Sequence, residues 1–266
     1  MGQTAASQFA TYPSLRGRVV VVTGGASGIG ESVVEHFARQ SSQVVFLDIQ
    51  DAAAEKLIER INRIDRLGAA GFSSPVFLHC DLTDMGAVKA SVTEIERRFQ
   101  RIDVLINNGG NDTRHTVEEV TPEYWDRCMN INLKQQFFVA QSVIPSMRQA
   151  GQGTIINMSS IAWLIPSTGL PVYVTAKAAV VGLTRTLAHE LGAHNIRVNC
   201  VLPGAILTDR QRKLWLTDQY KAEVLGRQAL KRLLLPEEVA RLVLFLAAND
   251  SSGITNQSYI VDGGWV

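Results

Sequence analysis

The hydrophobic pattern of this chain alternates between short apolar runs and longer segments in which apolar residues recur at helical spacing. Residues 19–22 are all valine, which is typical of a strand buried on both faces of a parallel sheet. Strands are predicted at 19–23, 43–48, 75–80, 102–107, 153–158, 195–202 and 257–261. Helices are predicted at 28–40, 51–67, 84–100, 121–150, 172–193 and 236–248. This alternation predicts an α/β fold, a doubly wound Rossmann-type parallel sheet with right-handed crossovers.

Length and composition favour a single domain over residues 1–266. The chain has 266 residues, of which 46% are hydrophobic, so it can bury a large core, and no linker divides it. An amphipathic segment at 204–232 precedes the last predicted helix. Because ligands bind beyond the carboxyl ends of the strands in this architecture, we expect the segment to cover a substrate.

Charge and cysteine content exclude some partners. The formal net charge is +1 with intermixed signs, so we expect neither a nucleic acid nor a membrane partner. Cys80, Cys128 and Cys200 are odd in number and widely spaced, which indicates reduced core residues. The chain starts without a signal-like segment and has no apolar run of spanning length, so a cytoplasmic location is expected. No metal site is expected, since His189 and His194 are spaced by five residues and would not share a helix face.

The glycine-rich segment T-G-G-A-S-G-I-G occupies residues 23–30, between a predicted strand and a predicted helix. Strand, glycine turn and helix in this order form the phosphate-binding corner of a dinucleotide fold. The glycines allow a tight turn and a close approach of the backbone, and the helix N-terminus faces the pyrophosphate. A glycine triplet alone is weak evidence, and it gains weight from this context.

Asp48 ends the second predicted strand, where a dinucleotide fold places the acidic residue that binds the adenosine ribose. A carboxylate accepts hydrogen bonds from the ribose diol of NAD and repels the 2′-phosphate of NADP. Its neighbours Ser27, Ile49 and Gln50 supply no compensating cation. NAD is therefore the expected cofactor, although Asp48 could also cap the next helix.

Tyr173 and Lys177 are four residues apart, so on a helix they share one face. A neighbouring ammonium and a positive nicotinamide would both favour the phenolate, and a lowering of the tyrosine pKa by roughly two to three units from about 10 would make it a usable base. Ser160 lies thirteen residues before Tyr173 and can hydrogen-bond a reacting oxygen, with Ser159 as its rival. By itself, a tyrosine and a lysine at this spacing would more often be a surface pair.

Together with Asn132, these segments resemble the short-chain dehydrogenase/reductase family in order and spacing. The resemblance implies hydride transfer with a nicotinamide cofactor and strand order 3-2-1-4-5-6-7. It implies catalytic roles for Asn132, Ser160, Tyr173 and Lys177, with Asn132 kinking its helix and holding a water that links Lys177 to solvent. Gly109 departs from the alanine of the family's N-N-A-G segment. The implied cofactor contacts are Gly24, Ser27, Gly28, Ile29, Gly30, Asp48, Asp81, Leu82, Asn108, Gly109, Tyr173, Lys177, Pro203, Gly204 and Thr208.

Further segments at 108–115, 121–126, 159–163 and 210–215 resemble the bacterial sugar 1-dehydrogenases of this family. That likeness implies NAD-dependent oxidation of an aldopyranose at carbon 1 to the aldonolactone, with a D-xylose or L-arabinose type of substrate. A pyranose has several hydroxyls and an apolar face, which polar anchors and aromatic walls can bind. The implied sugar contacts are Asn111, Asp112, Arg114, His115, Ser160, Trp163 and Trp215.

Other interpretations stay open at this stage. Asp112 and Arg114 could pair at the surface while the tryptophans only pack, and related sugars differ by one stereocentre or one carbon. The same core motifs serve reductases and dehydrogenases of 3-oxoacyl or steroid type. A catalytically silent NAD-binding sensor is a third possibility, against which the intact Ser160, Tyr173 and Lys177 argue. The family resemblance also implies a homotetramer that packs helices 121–150 and 172–193 between subunits.

Overall fold

A parallel sheet of seven strands forms the centre of the computed structural model, which describes residues 9–65 and 73–266. Its strand order is 3-2-1-4-5-6-7, which confirms the predicted doubly wound fold. The predicted strands all form, with bounds that differ by at most two residues at either end. They are β1 Val19–Thr23, β2 Gln43–Asp48, β3 Val76–His79, β4 Val104–Asn107, β5 Gly153–Met158, β6 Ile196–Pro203 and β7 Ser258–Val261.

Helices cover both faces of the sheet, which explains the unbroken valine run. Val20 and Val22 of β1 belong to one buried apolar cluster, whereas Val19 and Val21 belong to another on the opposite face. Because each face meets a helical layer, neither can carry polar residues at alternate positions. The helices are α1 Gly28–Arg39, α2 Asp51–Asp65, α3 Met85–Phe99, α4 Pro122–Met129, α5 Gln135–Ala150, α6 Pro171–Leu191, α7 Asp209–Leu214, α8 Asp218–Arg227 and α9 Pro236–Ala247.

The helix predicted at 121–150 is wrong as a single α-helix. A π-helical turn at Asn130–Lys134 separates α4 from α5. Within this turn the Asn132 carboxamide donates to the Cys128 carbonyl oxygen at 3.0 Å, so a side chain occupies an acceptor of the preceding helix. The other predicted helices form with shifts of one or two residues. Residues 66–67 of the helix predicted at 51–67 lie outside the described residues.

The segment at 204–232 contains two short helices, α7 and α8, each with a threonine at its N-cap. The Thr208 hydroxyl accepts from the Gln211 backbone N–H at 3.2 Å, and the Thr217 hydroxyl accepts from that of Tyr220 at 3.1 Å. Such caps satisfy backbone donors that a helix start leaves free. Since β6 ends at Pro203, this segment begins at the carboxyl edge of the sheet. Within residues 9–65 and 73–266, no helix is long and apolar enough to cross a membrane.

Candidate active site

A cavity of about 1780 Å³ lies at the carboxyl edge of the sheet. Its volume exceeds the roughly 300–1,000 Å³ of common ligand pockets, so it can hold an extended ligand together with a second molecule. The glycine turn after β1 and the aspartate that ends β2 contribute to its wall, as do the loops after β4, β5 and β6. The predicted cofactor contacts that line it are Gly24, Ser27, Gly28, Ile29, Asp48, Asp81, Leu82, Asn108, Gly109, Tyr173, Lys177, Pro203, Gly204 and Thr208.

The glycine turn is closed by backbone contacts that exclude side chains. Gly24 and Gly28 have φ angles of +63° and +61°, in the left-handed region that favours glycine. A Cβ on Gly24 would lie 2.8 Å from the Cα of Gly109. Gly30 does not line the cavity, and a Cβ there would lie 2.5 Å from the Nδ2 atom of Asn108. Since α1 begins at Gly28, the turn presents a helix N-terminus to the cavity.

Gly109, the residue that departs from the family's alanine, packs against the loop after β3. A Cβ at this position would lie 2.5 Å from Cδ1 of Leu82 and 3.4 Å from the Thr23 hydroxyl oxygen. The Thr23 hydroxyl in turn accepts from the backbone N–H groups of Asn108 and Gly109, each at 3.0 Å. Glycine therefore lets β4 end close to Leu82, and an alanine would require Leu82 to shift.

Asp48 is 5% exposed and is held by the backbone around it. Its Oδ2 accepts from the Ala26 N–H at 2.9 Å, and its Oδ1 accepts from the N–H groups of Ile49 at 2.8 Å and Gln50 at 3.1 Å. The carboxylate thus ties the glycine turn to the end of β2. It also lines the cavity, so its remaining lone pairs can accept hydrogen bonds from a ligand.

The sequence analysis overlooked cations that line the same cavity, among them two from the helix that follows Asp48. Lys56 and Arg60 both come from α2. Arg60 is engaged with Glu31 at 2.5 Å and with Glu35 at 2.9 Å, so its charge is balanced by α1. Lys56 is exposed. The expectation that no cation accompanies Asp48 holds for its sequence neighbours but not for the cavity as a whole.

Tyr173, Lys177 and Ser160 meet at the other end of the cavity, which each of them lines. The Lys177 ammonium donates to the Met158 carbonyl oxygen at 2.9 Å and lies 5.6 Å from the centre of the Tyr173 ring. The Ser160 side chain acts to lower the pKa of Tyr173, so its hydroxyl lies near the phenol. The Ser159 hydroxyl instead donates to the Lys177 backbone carbonyl at 2.6 Å. Of the two serines, Ser160 is therefore the one that faces the phenol.

The protein side chains around Tyr173 do not by themselves lower its pKa. Burial raises the pKa of Tyr173, the Asp112 carboxylate raises it further, and the Ser160 side chain opposes them. Burial also lowers the pKa of Lys177 to about 8. Burial is the largest cause of both shifts, because it penalises the charged form of each group. A further positive charge is needed before the phenol becomes a useful base near neutral pH.

Asn132 lies beneath the cavity and is fully buried. Its Oδ1 accepts from the Asn111 N–H at 2.8 Å, and its Nδ2 donates to the Asn111 carbonyl at 3.0 Å. A Cβ on the neighbouring Gly110 would lie 3.0 Å from the Asn132 Oδ1 and 3.2 Å from the Lys177 Nζ. The asparagine therefore anchors the loop after β4 next to the lysine.

The loop after β4 and the start of α7 form another part of the cavity wall. Asp112 Oδ1 accepts from Arg210 Nε at 2.9 Å, and its Oδ2 accepts from Gln211 Nε2 at 3.0 Å. Asn111, Asp112, Arg210 and Gln211 all line the cavity. The sequence analysis missed Arg210 and Gln211, although it singled out the segment 210–215 that contains them. A single sequence carries no signal for pairs separated by almost a hundred residues.

Four predicted sugar contacts do not line the cavity. The Arg114 guanidinium lies 4.4 Å from the Trp215 ring centre, so this cation stacks on the aromatic ring and does not pair with Asp112. His115 is buried, with its Nδ1 atom 2.6 Å from the Tyr124 hydroxyl. Trp163 packs against the apolar cluster around Ile161, Val180, Cys200 and Leu202. The structure thus leaves these four side chains outside the cavity lining.

Cys80, Cys128 and Cys200 are free and buried. Burial raises the pKa of each thiol, to about 12 for Cys200, so they are protonated at neutral pH. Across residues 9–65 and 73–266, no three His, Cys, Asp or Glu side chains are grouped to hold a metal ion.

A cavity that joins a glycine-turn dinucleotide corner to a tyrosine and a buried lysine is that of a nicotinamide-dependent oxidoreductase. A family model of short-chain dehydrogenases, described as Enoyl-(Acyl carrier protein) reductase, matches residues 24–266. The chain belongs to the short-chain dehydrogenase/reductase family. Its fold agrees with that of a short-chain type dehydrogenase/reductase from Mycobacterium ulcerans, with a TM-score of 0.88 and 25% identity over 96% of this chain and 91% of that chain.

Curated relatives cover nearly the whole chain. D-xylose 1-dehydrogenase from Caulobacter vibrioides is 45% identical over 96% of this chain and 98% of its own length. The probable galactose dehydrogenase GalD from Rhizobium meliloti is 44% identical over 95% of this chain and 96% of its own length. The 3-oxoacyl-[acyl-carrier-protein] reductase FabG from Thermotoga maritima is 37% identical over 95% of this chain and 99% of its own length.

Proposed function

We propose that this enzyme oxidises an aldopyranose of the D-xylose or L-arabinose type at carbon 1, with NAD as hydride acceptor. The observation that carries the proposal is the convergence of Tyr173, Lys177 and Ser160 with the polar wall of Asp112 and Arg210 in one cavity. A polar wall suits a substrate with several hydroxyls. The names of two relatives at 44–45% identity, a xylose and a galactose dehydrogenase, support the same substrate class.

Each residue of the site has its own role in the proposed reaction. Tyr173 takes the proton of the anomeric hydroxyl while hydride leaves carbon 1, so the product is the aldonolactone. Ser160 donates a hydrogen bond to the oxygen that gains negative charge. Lys177 holds its positive charge near the phenol and binds the nicotinamide ribose. Bound NAD supplies the hydride acceptor and a positive charge at this end of the site. Asn132 completes the path by which the proton reaches solvent.

The residues at the other end of the cavity fit the dinucleotide. The glycine turn leaves room for a pyrophosphate at the N-terminus of α1, and buried Asp48 offers acceptors for the ribose diol. The same carboxylate disfavours a 2′-phosphate, and Arg60 is already paired with acidic residues of α1. We therefore propose NAD as the preferred cofactor over NADP, with Lys56 as the cation that could weaken this preference.

The remaining features of the proposal concern organisation. One domain spans residues 1–266, and the segment at 204–232 covers the substrate, consistent with the contacts from α7 to the loop after β4. Four copies assemble with α4, α5 and α6 between subunits. The cytoplasmic location remains a prediction from the sequence.

A second candidate is a dehydrogenase or reductase of 3-oxoacyl or steroid type, which FabG of Thermotoga maritima represents by name. The polar wall of Asp112, Arg210 and Gln211 argues against it, because an apolar ketone offers these side chains few hydrogen bonds, whereas a sugar offers several hydroxyls. A silent NAD-binding sensor is a third candidate. The meeting of Ser160 and Tyr173 inside the cavity argues against that candidate.

The test is a scan of aldopyranoses and secondary alcohols with NAD and with NADP, monitored by nicotinamide absorbance. A pyranose oxidised at carbon 1 keeps its ring, so lactone should accumulate in step with NADH in mildly acidic samples quenched early. If NADH forms without lactone, oxidation at carbon 1 is wrong. If only a 3-oxoacyl or steroid substrate reacts, the second candidate function replaces the first. If no substrate reacts although NAD binds, the NAD-binding sensor replaces the first candidate.

A further inference from the structure

The Asp112 carboxylate is held from one side by two consecutive residues of α7. Arg210 Nε donates to Oδ1 at 2.9 Å, and Gln211 Nε2 donates to Oδ2 at 3.0 Å. The same guanidinium reaches the Asn111 Oδ1 at 3.1 Å through Nη2. The backbone N–H and carbonyl of Asn111 both form hydrogen bonds with the side chain of the buried Asn132. Arg210 therefore binds a loop that is fixed next to the catalytic lysine.

Asp112 also acts on the catalytic pair. Its charge raises the pKa of both Tyr173 and Lys177. The other groups that face the phenol are Ser160 from the loop after β5, Cys128 from α4 and Lys177 from its own helix. Burial raises the pKa of the Cys128 thiol, so it carries no charge at neutral pH. Asp112 is therefore the negative charge, among these groups, that works against formation of the phenolate.

We propose that Arg210 is a positioning residue for proton transfer: its guanidinium neutralises Asp112 when α7 packs on the loop after β4, so that covering the substrate and activating Tyr173 occur together. This inference rests on the proposed role of Tyr173 as the base. Arg114, a cation on the same loop, cannot replace Arg210 because it stacks on Trp215. The planar guanidinium is suited to bridging two side chains, which a lysine ammonium does less well.

If Arg210 only stabilised the fold, its loss would change the melting temperature rather than the pH dependence of the reaction. The side chains of Arg210 and Asp112 are 46% and 23% exposed, and an ion pair this accessible contributes little to folding stability. Loss of Arg210 should therefore leave the melting temperature close to that of the wild type. Its effect should appear in the pH dependence of the chemistry, since the uncompensated carboxylate remains near the phenol.

The experiment compares Arg210→Gln, Asp112→Asn and the double variant, with Arg227→Gln as the matched control. Arg227 is exposed at the end of α8, in the same segment, and is outside the cavity lining. In Arg210→Gln the acid limb of kcat/KM should move to higher pH by about one unit, which is about a tenfold loss well below the apparent pKa. The loss should shrink as pH rises, and in the double variant the acid limb should return to its wild-type pH.

Equal loss at every pH, or a shift that persists in the double variant, would overturn the inference. The pH series can use whichever alcohol the enzyme oxidises, so failure of the sugar assignment leaves this test intact. A substrate-free measurement complements it: ultraviolet titration of tyrosinate with NAD bound, taken as the difference between each variant and its Tyr173→Phe counterpart. Arg210→Gln should raise the titration midpoint of Tyr173, and an unchanged midpoint contradicts the proposal. Full activity of Tyr173→Phe would refute both the base and the role of Arg210.

Discussion

The substitution Gly30→Ala tests the cofactor cradle at its tightest point. The added Cβ would overlap the Gly24 carbonyl oxygen and lie 2.5 Å from Asn108 Nδ2, which donates to the carbonyl oxygens of Thr23 at 3.1 Å and Gly24 at 2.9 Å. Overpacking costs about 1–3 kcal/mol and two weakened hydrogen bonds cost about 1–3 kcal/mol together, offset by about 1 kcal/mol of helix propensity. We therefore expect a net loss of about 3 kcal/mol of folding stability.

Two measurements follow from that magnitude. The melting temperature should fall by roughly 6–12 °C, since about 1 kcal/mol corresponds to 2–4 °C in a protein of this size. Calorimetric titration should show NAD bound at least about tenfold more weakly, because the displaced turn loses its fit to the pyrophosphate. The control is Gly226→Ala in α8, where a Cβ meets nothing within 4 Å, so stability should not fall. Wild-type melting and NAD affinity in Gly30→Ala would refute this reasoning.

Three further substitutions test the proposed roles. Tyr173→Phe should bind NAD normally and lose at least about a thousandfold in turnover, as expected for a positioned base, and retention of more than a tenth of wild-type turnover would remove that role. Asp48→Ser should weaken NAD binding and improve NADP use, each by roughly 1–3 kcal/mol, measured as the ratio of kcat/KM values, and an unchanged ratio would assign the preference to another residue. Burial lowers the pKa of Lys177 to about 8, so the ammonium is lost as pH rises through that value and activity should decline above it. Lys177→Arg keeps its charge and should abolish this alkaline decline, whereas an unaltered decline would trace it to a different group.

The fold could be predicted because its signals are local. Buried parallel strands such as β1 and β2 contain unbroken apolar runs, at 19–22 and 44–47, and each is bounded by turn or helix signals. The glycine turn was predictable for the same reason, since a φ angle near +60° and a close backbone approach each demand glycine at a single position. Strand order and catalytic roles came from the family resemblance rather than from periodicity.

The substrate end of the site could not be predicted from the sequence, because it depends on contacts between distant segments. Asp112 was paired with Arg114 in one interpretation, but it pairs with Arg210, and Arg114 stacks on Trp215. A sequence shows which cations are available without showing which one reaches a carboxylate. The sequence could not show the effects of burial and of the Asp112 charge on the Tyr173 pKa for a related reason, since both are properties of the folded site.

The π-helical turn at Asn130–Lys134 changes the rotation of α5 about the helix axis relative to α4. It acts as a one-residue insertion, so α5 is rotated by about 100° from the direction in which a continuous α-helix would carry it. Deleting a single residue there would repair the backbone hydrogen bonds while turning Asn132 away from Asn111. The π-helical turn thus points the Asn132 side chain toward Asn111. A variant in which this stretch is a regular α-helix should have lower activity.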